Sequence, residues 1–217
     1  TSIGSSAFSN CDKLTNVELP NSVTSIGYEA FYYCGNLTSI HCYAETVPST
    51  GNSCFYGNPK YMVIHVPPQS INDYKAASYW KDYVIAALTN DETEAGIGSS
   101  TTVNYGNYSL KFLATSLEPA ECVVYCTTMS STKTDVTIPA SVNIAGKDFT
   151  VTTIGQDAFY NRYYLRSIVI PASVNTIIGN AFRSCDYMES IAVENGNTVY
   201  DSRENCNAII ETETNTL

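Results

Sequence analysis

The sequence has no apolar run of the ~18 residues that a membrane-spanning helix needs, so no helix of this chain is expected to cross a bilayer. Charge is scarce as well. Charged residues make up 15% of the 217, and 11 basic residues face 21 acidic ones, a net charge of −10. A surface of that sign repels phosphate backbones, which excludes nucleic acid as an expected partner. There are two histidines and no Cys-x-x-Cys, so a zinc site is not expected. Gly-x-Ser-x-Gly, His-Glu-x-x-His and the phosphate-loop pattern are all missing. "GIGSS" at 96–100 lacks the strand and helix that flank a phosphate loop and reads as linker. No enzyme, cofactor or metal site is therefore expected. No basic-then-apolar leader is visible, and Thr1 falls in mid-pattern, so the chain is read as a mature or trimmed piece of something longer.

What is present is a hydrophobic content of 44%, enough to bury a core in one large domain or two smaller ones. The polar share is carried by Ser, Thr, Asn and 17 Tyr, a flavour that suits β-rich extracellular proteins. Eight cysteines raise the possibility of a disulfide framework, against which their spacing argues below.

The motif "TSIGSSAFSNC" (1–11) returns as "TSIGYEAFYYC" (24–34), "TTIGQDAFYNR" (152–162) and "NTIIGNAFRSC" (175–185). Numbering its Ile as slot 1, that slot holds Ile3, Ile26, Ile154 and Ile177. Slot 5 holds Ala7, Ala30, Ala158 and Ala181, and slot 6 holds Phe8, Phe31, Phe159 and Phe182. Slot 12 holds Leu14, Leu37, Leu165 and Met188. Slots 15 and 17 hold Val17/Leu19, Ile40/Cys42, Ile168/Ile170 and Ile191/Val193, with Pro20 and Pro171 following. A further coil with one added residue places Phe55, Tyr61, Ile64, Val66 and Pro67 in slots 6, 12, 15, 17 and 18. "NIAGKDFTV" (143–151) reads as an inserted hairpin around a Gly-Lys-Asp turn.

Each coil therefore has a recognisable course. "LTNVELP" and "LRSIVIP" alternate with period two and stop at Pro, as a half-buried strand does. "SVTSIG" is a second short strand, with Gly permitting a turn that a Cβ would resist. "xxAFxxCxxL" spaces apolar residues three and four apart, which predicts a helical or 3₁₀ turn. A coil of about 23 residues cannot cover its own apolar face, but stacked coils can, at ~4.8 Å per step. The kept letters are those expected to point inward, each worth about 1.5–3 kcal/mol when buried.

"LTNVELPNSVTSIGYEAFYYC" (14–34) and "LRSIVIPASVNTIIGNAFRSC" (165–185) resemble the BspA-like, or Treponema pallidum-type, leucine-rich repeats. The resemblance implies an α/β-type solenoid, a right-handed leucine-rich-repeat superhelix of ~23-residue coils. "YMVIHVPPQSINDYKAASYWKDY" (61–83) looks like the closing segment of such arrays. Its helix is expected at about 70–81, with Ser70 and Asp73 as a capping-box pattern and Ile71, Tyr74 and Ala77 on one face. "YSLKFLATSLEPAECVVY" (108–125) resembles the family's opening hairpin, and "VYDSRENCNAIIE" (199–211) an irregular repeat. Residues 1–88 are thus read as the C-terminal end of one array, 89–104 as a polar linker, and 105–217 as the start of a second. The departures are the displaced Gly in "IIGNAF", Cys42-Tyr43 for Leu-Pro, and Arg162 for the slot-9 Cys, where a locally open coil is expected.

Cys11, Cys34 and Cys185 share slot 9. In-register side chains point the same way with Cβ atoms too far apart for good disulfide geometry, so free thiols acting as small hydrophobes are expected. Cys122 and Cys126 would share one strand face without bonding, and pairing of Cys42 with Cys54 stays open. His41 and His65 each follow an inward Ile and are expected as outward neighbours on adjacent strands, with exposed strand histidines favoured over a metal or base role. "ENGNTVYDSRENCN" (194–207) offers oxygens but no calcium-loop spacing, and reads as a turn-rich loop. Asn36 and Asn107 head glycosylation sequons of a kind frequent by chance.

The informative surplus is tyrosine. Tyr28, Tyr32, Tyr33, Tyr160, Tyr163, Tyr164 and Tyr187 fall in variable slots and form the candidate binding surface, against the alternative that they only cover strand edges. The resemblance implies a cell-surface or secreted, adhesin-like module that recognises extracellular proteins of the fibronectin or fibrinogen kind. A glycan-binding accessory module and a structural spacer are the alternatives.

Overall fold

A computed structural model describes residues 1–88, 96–202 and 209–212. The chain falls into two units, Thr1–Glu92 and Thr93–Leu217.

In the first unit, equal slots of successive coils lie side by side. Strands β1 (Ser2–Ile3), β3 (Ser25–Ile26) and β5 (Ser49–Thr50) form one parallel ladder in which Ile3 pairs with Ile26 and Ile26 with Thr50. Strands β2 (Asn16–Leu19), β4 (Ser39–Cys42), β6 (Val63–Val66) and β7 (Val84–Ala87) form another, aligning Val17, Ile40, Ile64 and Ile85. Slot 6 makes an aromatic column, with Phe8 on Phe31 at 5.1 Å and Phe31 on Phe55 at 5.9 Å. Burial follows the stack: Phe31 is 0% exposed between two coils, whereas Phe8 is 39% exposed. In the third coil Met62, not Tyr61, is the buried residue at the Leu14/Leu37 place.

The turn anticipated over slots 3–12 closes with i→i+3 bonds, such as Ser9 N–H to Ser6 C=O (3.2 Å) and Tyr32 N–H to Glu29 C=O (3.1 Å). It does not continue into a helix. Slots 4 and 8 are left-handed in Ser6 and Asn10 (φ 56° and 58°) and in Glu29 and Tyr33 (54° and 53°). Alternate amides are also committed to the next coil, from Ser6, Phe8 and Asn10 to the carbonyls of Tyr28, Ala30 and Tyr32 at 2.7–2.8 Å. The turns are therefore a third hydrogen-bonded ladder. The slot-2 Gly serves this close stacking rather than a positive φ. A Cβ on Gly27 would lie 2.5 Å from Ser5 N and one on Gly51 2.4 Å from Tyr28 N, while Gly4 meets nothing within 4 Å.

The unit closes through aromatics with a polar handle. Helix α1 spans only Ile71–Ala76, shorter than the expected 70–81, because Ala77 is extended. The Ser70–Asp73 pattern makes no side-chain cap; Ser70 Oγ instead donates to Glu45 C=O at 2.7 Å. Tyr74, Trp80 and Tyr83 are buried and donate to the carbonyls of Ala44 (2.8 Å), Pro48 (3.3 Å) and Phe55 (2.7 Å). β7 then extends the ladder by one strand beyond the segment read from sequence.

The second unit begins earlier than expected. β8 (Ser100–Asn104), within the stretch read as linker, pairs antiparallel with β9 (Tyr108–Leu117). β9 forms a long hairpin with β10 (Ala120–Met129). β11 spans Thr134–Thr137 and β12 Ser141–Ile144. β12 turns into β13 (Lys147–Ile154) through Ala145–Gly146, both at positive φ, one residue earlier than the Gly-Lys-Asp turn anticipated. β10, β13 and β15 (Thr176–Ile177) run parallel, so the hairpin supplies the stack's first layer. β11, β14 (Leu165–Ile170) and β16 (Ser190–Val193) form the companion ladder. β17 (Tyr200–Asp201) pairs antiparallel with β18 (Ile210–Glu211). Arg162 does not open its coil: Nη2 donates to the carbonyls of Cys126 (2.5 Å) and Thr127 (3.1 Å), binding the turn to the hairpin.

Candidate binding surface

Because each ladder stacks equal slots, an outward slot repeated as tyrosine becomes a column of rings. In the first unit, slot 7 stacks Tyr32 on Tyr56 at 5.6 Å. The left-handed slot 8 brings Tyr33 edge-on to both, at 4.7 and 5.7 Å. Gly57 makes room for it, since a Cβ there would lie 2.8 Å from the Tyr33 ring. Tyr33 and Tyr56 remain exposed. Tyr28 stands outside this trio, its phenol pushed above the ordinary value first by the hydrogen bond to Glu29 and then by that carboxylate's charge.

In the second unit, slot 11 stacks Tyr164 on Tyr187 at 5.6 Å. The Lys133 ammonium lies 6.0 Å from the Tyr187 ring centre and is paired with Glu189. Slot 7 here opposes Tyr160 and Arg183, whose guanidinium is 5.9 Å from the ring centre. Tyr163 is exposed beside them in sequence, its carbonyl accepting Tyr187 N–H at 3.1 Å. Of the seven tyrosines singled out from sequence, the fold thus joins Tyr32 with Tyr33 and Tyr164 with Tyr187, leaving Tyr28, Tyr160 and Tyr163 exposed outside those clusters. Tyr56 was missed, although Phe55 in slot 6 puts Tyr56 in slot 7 directly. Tyr105, exposed and stacked on Tyr108 at 4.9 Å, was missed because the opening hairpin lies outside the repeat.

Cys11, Cys34, Cys42, Cys54, Cys122, Cys126 and Cys185 are free, which resolves the open pairing of Cys42 with Cys54. Burial pushes the thiols of Cys54 and Cys122 up to about 12, far from a reactive thiolate. Cys34 and Cys185 Sγ donate to the carbonyls of Phe8 and Phe159 at 3.0 and 3.1 Å. His41 and His65 stack at 4.6 Å on paired strands. Asn197 Oδ1 accepts from the amides of Val199 and Tyr200 at 2.9 and 2.8 Å, which makes the loop that starts at 194 a side-chain-closed turn; residues 203–207 of that stretch lie outside the described residues. Among the described residues, no three His, Cys, Asp or Glu side chains converge as metal ligands, and no helix is long and apolar enough to cross a membrane. The Asp135 carboxyl is held at about 2 by hydrogen bonds from Arg166 first and Ser167 second.

Comparison with known proteins places the repeat. The family described as BspA type leucine rich repeat region matches in six copies, over residues 1–103 and 127–208. A leucine rich cell surface protein from Faecalibacterium prausnitzii A2-165 is similar at 26% identity over 44% of this chain, with a TM-score of 0.35. A leucine-rich repeat protein from Eubacterium ventriosum is similar at 18% identity over 92% of it, with a TM-score of 0.28. The matches span 24% and 37% of those two proteins' lengths. No curated protein matches the chain. With the family covering most of the sequence and its slots forming the stacked core, this chain belongs to the BspA-type leucine-rich repeat family.

Proposed function

We propose that this chain is a non-catalytic, cell-surface or secreted binding module, adhesin-like, that recognises extracellular proteins of the fibronectin or fibrinogen kind through its outward tyrosines. The observation that carries the reading is the pair of ring clusters, Tyr32–Tyr33–Tyr56 and Tyr164–Tyr187, set on rigid hydrogen-bonded ladders. Tyrosine brings a large amphipathic surface to an interface with only two side-chain torsions to immobilise. A surface location is supported by the Faecalibacterium relative, described as a cell surface protein. We further read residues 1–88 as closing one array and the stretch from β8 (Ser100–Asn104) to residue 217 as opening a second.

The test is binding of the purified chain to immobilised fibronectin, fibrinogen and other matrix proteins, beside a variant with Tyr→Ala at Tyr32, Tyr33, Tyr163 and Tyr164. Binding by the wild type that is lost in the folded variant supports the reading. Undiminished binding by the variant removes the tyrosines from it, and no binding by either favours a spacer.

A further inference from the structure

A groove of about 410 Å³ separates the third coil's turn from the closing segment of the first unit. Its walls are unlike one another. Tyr56, 59% exposed, offers a ring on the turn side. Tyr79 faces it from the closing segment and donates its hydroxyl to Asn52 Oδ1 at 2.9 Å, which leaves the Asn52 amide nitrogen to donate elsewhere. Asp82 and Lys60 complete the lining, with the Lys60 ammonium 5.0 Å from the centre of the Tyr83 ring in the floor.

Three features narrow the occupant. The charges of Lys60 and Asp82 cancel within the groove, although the chain carries −10 overall, so no ionic ligand is selected. Every lining residue lies in a turn or bend, so an extended peptide finds no strand edge to pair with. What remains is an aromatic platform ringed by an amide, a carboxylate and an ammonium, the combination that suits a ring with apolar C–H faces and an equatorial rim of hydroxyls. Tyr79 adds a second mark. It sits at φ 68°, while the other left-handed non-glycine residues among the described ones belong to slots 4 and 8 or to the Ala145 hairpin. A bulky residue held there, outside the repeat, is the kind of strain that accumulates at ligand sites.

We infer that this groove is a binding site for a short neutral saccharide of one or two pyranose rings, stacked on Tyr56 and hydrogen-bonded by Asn52, Lys60 and Asp82. It takes a different ligand class from the protein-binding surface, with which it shares Tyr56. The whole chain is titrated with glucose, galactose, mannose, N-acetylglucosamine, maltose and cellobiose by saturation-transfer NMR and calorimetry. At least one of these sugars is expected to bind the wild type. Its affinity is expected to fall about tenfold or more in both Tyr56→Ala and Asp82→Ala. Affinity is expected to stay unchanged in Tyr164→Ala, and Asp82→Ala is expected to keep its matrix-protein binding, so the two proposals fail separately. Emission from Trp80, the single tryptophan, buried against Phe55, verifies folding of the first unit, which holds the groove, in each variant. No binding by the folded wild type, or binding that survives both groove variants, overturns the site.

Discussion

Phe31 and Tyr32 are neighbours in the chain and opposite in role. Phe31 lies in a column of phenylalanines that runs through the inside of the first unit, and Tyr32 in a column of tyrosines on its outside. Both columns are built by the same ladder, since the amides of Phe31 and Tyr33 both donate to the next coil, to Cys54 and Tyr56 at 2.8 Å. The inner column depends on neighbours above and below for its burial, as Phe8 at 39% exposure shows beside Phe31 at 0%. The outer column is fixed in position by that stacking without supplying the core. A solenoid of this kind can therefore change its surface chemistry coil by coil while its inner letters stay constant.

The largest contrast is expected from cutting the inner column. Phe31→Ala should cost about 3–5 kcal/mol in denaturant unfolding of the first unit, the usual range for a fully buried Phe. Gly27→Ala tests the spacing between coils. Its Cβ would meet Ser5 N at 2.5 Å, so a loss of about 1–3 kcal/mol is expected, whereas Gly4→Ala, with open space around it, should stay within ~0.5 kcal/mol. Tyr32→Ala, on the outer column, should cost about 1 kcal/mol or less, which chemical denaturation of the same unit checks. The smallest effect belongs to the exposed Asp135–Arg166 pair on paired strands β11 and β14. Asp135 is depressed to about 2 in the fold, below the ~3.9 of an unfolded Asp. Its contribution is thus present above pH ~4 and lost as pH falls toward about 2. NMR titration should place the Asp135 midpoint near 2 in the wild type and nearer the ordinary value in Arg166→Ala.

Much of the inner column was legible in the sequence, because burial between stacked coils tolerates few residue types. The period alone aligned Ile3 with Ile26 and His41 with His65. The left-handed turns were not legible, since Ser6, Glu29, Tyr33 and Asp157 occupy positions where composition would point to glycine. Arg162 was misjudged as a gap. Its value lies in carbonyls 35 and 36 residues away that only the hairpin's packing brings within reach. β7 and β8 were missed because one follows the last repeat slot and the other sits in a polar stretch. Single outer tyrosines could be named from their slots, but their grouping depends on which coils stack, and the groove depends on Tyr79 and Asp82 returning against residues 52–60.

The division between shape and recognition is tested most directly by reading stability and matrix-protein binding together in two variants, Phe31→Ala and the double variant Tyr33→Ala/Tyr56→Ala. The expected result is that Phe31→Ala lowers the melting temperature of the first unit, while the tyrosine pair leaves it nearly unchanged and abolishes or sharply weakens binding. A tyrosine pair that unfolds the unit, or that binds as tightly as the wild type, would contradict the assignment of recognition to the outer column.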